Sequence, residues 1–127
     1  MEIKISSSRL QLNEVENFIR KLFEKFKIRD ELFFKTQVCV NEAVVNSIMH
    51  GNKFEENKLV TISSFTANSY LYFSIADEGE GFDFNDLPDP THVDNIFKET
   101  GRGIFIIKNI SEEIIFKDKG NIIEFKI

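Results

Sequence analysis

The chain has no tryptophan, one cysteine, two prolines and two histidines in 127 residues. A single thiol, Cys39, excludes a disulfide within the chain, and a cytoplasmic address fits that usage. Two histidines and one cysteine, far apart in sequence, form no transition-metal cluster. Basic residues are also short: 16 Lys and Arg against 21 Asp and Glu leave a formal net charge of -5. That balance excludes a general nucleic-acid binder, which needs cations to neutralise phosphates, and a polybasic membrane anchor. No apolar run is long enough to span a bilayer, and Met1-Glu-Ile-Lys-Ile-Ser6 goes straight into strand-like alternation, so a signal peptide is not expected there. The absent tryptophan is offset by 14 phenylalanines, which must fill much of the core. Cys39 lies in an apolar stretch and reads as a small buried hydrophobe.

What is present is enough for one domain over 1–127 with one core, since 42% of the residues are hydrophobic. Ile3 and Ile5 alternate with Glu2, Lys4 and Ser6, which predicts a strand. Ser6-Ser-Ser8 offers helix caps. Leu12, Val15, Ile19, Leu22 and Phe26 then recur at helical spacing, which predicts a helix over 9–26. A second helix is expected over 30–50, capped by Asp30, with Leu32, Phe33, Val40, Ala43, Val44 and Met49 on its apolar side. Stretches 59–66 and 70–76 have β-branched and aromatic strand character and suggest a hairpin. From Asp77 to Thr100 no period is visible, and a loop of that length in a small domain is usually functional. Residues 103–110 alone fit strand or helix, and the preceding Gly-Arg-Gly with the spacing of Ile104, Ile107 and Ile110 favours a helix; a closing hairpin over 113–127 completes the order β-α-α-β-β-loop-α-β-β. The fold class expected is α+β: a two-layer sandwich with helices on one face of a mixed, mostly antiparallel sheet.

Three motifs carry chemistry. Glu42 and Asn46 sit four apart on the second helix and share a face. An Asn oxygen suits a hard divalent ion without adding charge beside phosphates, and a carboxylate one turn away can polarise a hydroxyl. Alone, the pair equally fits two solvated residues on a helix surface. Asp77-Glu-Gly-Glu-Gly81 follows a strand, where Asp77 could accept from an exocyclic amine while Gly79 and Gly81 let backbone come close. Alone, it also fits an ordinary turn. Gly101-Arg-Gly103 opens a helix, whose free amides favour phosphate, with Thr100, Lys98 and Arg102 beside it. Alone, it fits a hinge.

Together and in this order the motifs resemble the N-box, G1-box and G2-box of the GHKL (Bergerat) ATP-binding fold, shared by histidine kinases, gyrase, Hsp90 and MutL. The segments Asn41–Gly51, Asp77–Asp83 and Gly101–Ile110 look most like the single-domain anti-sigma-factor serine kinases of bacteria. The resemblance covers nearly the whole chain. It implies ATP and Mg2+ as cofactors. It makes Asn46 the metal ligand, Glu42 the general base and Asp77 the adenine reader, with Gly79 and Gly81 shaping the base pocket. It makes the stretch from about 83 to 100 a lid, and it brings the amides of Gly101 and Gly103 to the phosphates. Glu99 and Thr100 stand where some members carry Arg-Ser, so the cation on the terminal phosphate is Lys98 or Arg102. The role of His50 stays open between structure and chemistry. Neither a phosphoacceptor helix pair nor a transducer domain is recognisable, so neither a complete sensor kinase nor a gyrase-like machine is expected. The implied activity is phosphorylation of a STAS-type anti-sigma-factor antagonist, with binding of a sigma factor and a homodimeric state. The alternative is a nucleotide-dependent interaction module of the same fold without kinase activity.

Overall fold

Alternation builds the sheet. In the computed structural model, which describes residues 1–81 and 99–127, β1 (Glu2–Ser6) pairs antiparallel with β2 (Leu59–Ala67). β2 continues into β3 (Tyr70–Ala76) through Asn68 and Ser69, both at positive φ (51° and 67°), the backbone a two-residue hairpin turn requires. β5 (Ile122–Lys126) lies beside β3, and β4 (Glu113–Lys117) closes the edge, so the order is β1-β2-β3-β5-β4. Every one of these pairings is antiparallel. Among the described residues the helices and strands follow the expected order, and the α+β sandwich is found.

The register puts Ile62 opposite Ile75, Phe73 opposite Phe125 and Ile75 opposite Ile123, all on the face that packs against the helices. The rings of Phe73 and Phe125 stack with centroids 5.4 Å apart. The opposite face keeps Phe65 and Ile115 exposed.

Helix α1 (Leu12–Phe26) buries Val15, Phe18, Ile19, Leu22 and Phe23. Phe26, expected on that face, lies at the rim, and Phe18 and Phe23 take the core positions. Ser8 caps the short 3-10 turn Arg9–Gln11 that precedes it, its Oγ accepting from the Leu10 N–H at 3.2 Å. Helix α1 ends where Lys27 turns left-handed (φ 53°) and Ile28 N–H closes back on Phe23 O at 3.0 Å.

Asp30 does not cap the second helix. It opens a 3-10 turn, Asp30–Leu32, where its charge faces a helix start without a capping bond. Helix α2 (Phe33–Asn46) buries Cys39, Val40, Ala43 and Val44. Burial pushes the Cys39 thiol up to about 11, so it behaves as the packed hydrophobe expected. Helix α3 (Glu99–Ile110) packs beside α2 and buries Ile104 and Ile107. No helix among the described residues is long and apolar enough to cross a membrane.

Candidate functional site

The site grows from the end of α2. After Asn46 the backbone widens into a π-helical turn, Ser47–Gly51. Its hydrogen bond runs from Asn52 N–H to Ser47 O at 2.7 Å, and Phe54 N–H reaches Ile48 O at 2.8 Å. Single π turns inside helices are rare and recur at functional sites. Lys53 and Phe54, at positive φ (52° and 61°), then turn the chain away.

Asn52 makes this ending rigid. It is fully buried. Its Nδ2 donates to Ser7 Oγ at 2.8 Å and to Leu59 O at 3.1 Å, and its Oδ1 accepts from Glu78 N–H at 2.8 Å. One amide thus ties the π turn to the end of β1, the start of β2 and the loop after β3.

Against this turn lies a cavity of about 310 Å³. Glu42 and Asn46 reach it from α2, Arg102 and Gly103 from α3, and Arg9 from the turn before α1. The expected pair therefore does share one face and one space. Partial burial raises the Glu42 carboxyl above its ordinary value, because water no longer solvates the charge fully. A Cβ added at Gly103 would sit 3.0 Å from Glu42 Oε2, so the missing side chain lets α3 close on the carboxylate. Asn46 is 8% exposed, and among the described residues its Oδ1 has no hydrogen-bond partner. A buried acceptor left without a donor is costly unless a ligand meets it. A second crevice of about 360 Å³, lined by Phe26, Leu32 and Tyr70, presents no carboxylate or amide side chain.

Asp77 stands at the other end of the π turn. Its Oδ1 accepts from Gly79 N–H at 2.8 Å, and its backbone is clamped by Asn121 through N–H to O at 2.9 Å and Nδ2 to O at 3.1 Å. Ser47 faces the same carboxylate, although its buried Oγ makes no bond of good geometry. Gly51 packs directly on the Asp77 carboxylate, and Gly79 packs on the Gly51 carbonyl, with no room for a Cβ at either. Gly81 holds φ at 83° and lies against the Lys119 backbone.

Burial raises the Asp77 carboxyl above its ordinary 3.8, although the Gly79 N–H, Ser47, Lys119 and Lys58 all pull it down. The folded chain therefore holds that proton more tightly than the unfolded chain. The stability it contributes is full below about 3.8 and is lost as pH rises through the folded value. Asp77→Asn keeps the oxygen that accepts from Gly79 and removes the buried charge. Without nucleotide it is expected to melt above the parent at neutral pH and level with it in acid, which thermal melts at several pH values will read.

Helix α3 begins at Glu99, earlier than expected, so Thr100 and Gly101 fall in its first turn and Gly103 in its second. Only first-turn amides are unpaired in a helix. Gly101 is thus placed to offer an amide, whereas Gly103 acts in this structure through its close approach to Glu42. Glycine weakens a helix by about 1 kcal/mol against alanine without stopping it, so the motif misleads about where the helix starts. Lys98, and most of the stretch expected as a lid, lie outside the described residues.

Residues 5–127 match the family model described as histidine kinase-like ATPase domain. The chain belongs to the histidine kinase-like ATPase family. An anti-sigma F factor of Geobacillus stearothermophilus is 28% identical over 116 residues, covering 86% of this chain and 79% of that protein. Serine-protein kinase RsbW of Bacillus subtilis (strain 168) is 27% identical over 84 residues, covering 61% of this chain and 52% of that protein. The resemblance read from the three motifs is borne out at the level of the family.

In this member of the histidine kinase-like ATPase family, the structure also brings to the site residues that the motifs did not single out. Asn52 follows the His-Gly pair, and an amide side chain just after a helix end was the signal available in the sequence. Asn121 and Arg9 gave none, because only the folded sheet and helices bring them to Asp77 and to the cavity. His50 is exposed at the cavity edge.

Proposed function

We propose that this chain, acting as one ATP-binding unit, binds Mg-ATP and transfers the γ-phosphate to a Ser or Thr hydroxyl of a STAS-type anti-sigma-factor antagonist. By the same reading it holds a sigma factor, acts as a homodimer and works in the cytoplasm. The observation that carries the proposal is the cavity in which the Glu42 carboxylate and the unpaired Asn46 Oδ1 stand one helical turn apart. The names of the similar proteins, an anti-sigma F factor and a serine-protein kinase, support the direction of transfer and the partner class.

Asn46 fits a magnesium ligand: a buried, neutral amide oxygen free of other bonds. Magnesium, when bound, offsets charge on the phosphates during transfer. Glu42 accepts the proton of the acceptor hydroxyl as its oxygen bonds to the γ-phosphorus and the bond to the ADP oxygen breaks. Its raised pKa moves it towards the working pH, which strengthens it as an acceptor. Asp77 takes the adenine amine on the carboxylate oxygen that Gly79 leaves free, with Gly79 and Gly81 walling the base. Gly101 offers a backbone amide to the phosphates, and Thr100, Lys98 and Arg102 supply a hydroxyl and cations. A carboxylate-to-amine bond is worth roughly ten- to hundredfold in affinity.

Calorimetry with ATP and ADP, with and without Mg2+, tests the site, and phosphate transfer to a purified STAS-type antagonist tests the activity. ATP should bind more tightly with Mg2+, and Asn46→Ala should lose at least roughly tenfold of that affinity, the scale seen when even a group supporting a metal ligand is removed. A parent that binds neither nucleotide overturns the reading. Binding without transfer leaves an ATP-dependent interaction module.

A further inference from the structure

We propose that Arg9, from outside the three motifs, binds the terminal phosphate of the nucleotide and so separates ATP from ADP. The inference rests on the nucleotide reading above. It begins from the placement of charge. The chain is acidic, with a net charge of -5. Yet the cavity that holds Glu42 is walled by two guanidiniums, Arg9 and Arg102, with the His50 imidazole beside them. Glu42 is the one carboxylate among its described lining residues. Such a rim suits a polyanion, and arginine presents planar, paired donors that match phosphate oxygens.

Among the described residues Arg9 is also a cation with no strong partner. Its Nη2 donates to Met49 Sδ at 2.8 Å, and thioether sulfur is a weak acceptor. Among the described residues no carboxylate pairs with it. Among the described residues nothing else takes the remaining guanidinium donors, which leaves them to a ligand.

Its position is built. Ser8 caps the turn that carries Arg9, and Gln11 N–H closes on Ser8 O at 3.0 Å. One residue earlier, the buried Ser7 donates to Lys58 O at 2.6 Å and accepts from Asn52 Nδ2 at 2.8 Å. The turn is therefore fastened to the residue that ends the helix bearing Glu42 and Asn46. A cation held this way is set in place before the ligand arrives, which limits the ordering cost of binding.

The end of the nucleotide follows from the layout. Asp77, which takes the base, lies past Gly51 and does not line this cavity; Glu42 and Asn46, which serve the transferring phosphate, do. Arg9 shares their space, so it meets the terminal phosphate and leaves ADP with little to lose.

The test measures ATP and ADP affinities in Mg2+ by calorimetry for the full chain, Arg9→Gln and Arg9→Lys. Arg9→Gln should lower the ratio of ATP to ADP affinity by about tenfold or more, with ADP affinity changed less than about twofold. Arg9→Lys should recover part of the ratio, because it restores charge without the fork. An unchanged ratio in Arg9→Gln, or equal weakening of both nucleotides, overturns the role of Arg9 alone. A parent that binds no nucleotide overturns the reading beneath it as well.

Discussion

Glu42→Gln should slow phosphate transfer to a STAS-type antagonist by about 10²–10⁴-fold, the range a positioned general base contributes, while ATP affinity stays within a few-fold of the parent. Glutamine keeps the length and the acceptor oxygen of the side chain, so the contact with Gly103 survives. What it removes is the capacity to take a proton. Stability should move the other way. Burial raises the carboxyl pKa, so ionised Glu42 is a liability at neutral pH, and the amide relieves it. The variant should therefore melt above the parent at neutral pH, with the gap closing as pH falls through the raised folded value and gone below the ordinary glutamate value of 4.5. Single-turnover transfer and thermal melts on the same preparation read both effects. Transfer at the parental rate would place the proton acceptor elsewhere.

Gly51→Ala should cost about 1–3 kcal/mol of stability, the usual penalty of overpacking, and at least roughly tenfold in affinity for ATP and ADP alike. Its Cβ would fall on the Asp77 carboxylate, whose Oδ1 is held by the Gly79 N–H and whose backbone is held by Asn121, so moving it aside breaks the bond that sets its direction. Asn46 stands at the other end of the turn, so what binding survives should keep its Mg2+ dependence. Gly103→Ala is the control: its Cβ meets the far end of a flexible glutamate at 3.0 Å, which a small rotation relieves. Calorimetry and urea midpoints on both variants separate the two. Parental affinity in Gly51→Ala would show that Asp77 does not have to hold its place.

Much of this was legible because the chemistry lies on regular elements. Glu42 and Asn46 are four apart on a helix, so a shared face follows from period alone, and the cavity confirms it. The strands were readable because β-branched and aromatic residues alternate, and the two-residue hairpin at Asn68 and Ser69 fixes the register. The start of α3 was misread because glycine signals a break and here is tolerated inside a helix. The Asp30 cap failed because a 3-10 turn intervenes before the α-helical bonds begin. Arg9 and Asn121 were illegible for a different reason: the turn before α1 reaches the N-box helix, and the last hairpin reaches Asp77, only through long-range packing.

The π turn has a consequence for how this chain can change over time. A turn closed by an i→i−5 bond holds one residue more than an α turn. Deleting any residue between Ser47 and Gly51 would let the helix run on regularly, a locally favourable repair. It would also swing everything beyond by about 100°. Asn52 would then leave Ser7, Leu59 and Glu78, and Gly51 would leave Asp77. Spelling can drift at an exposed position such as His50, but the count of letters between Asn46 and Asn52 cannot.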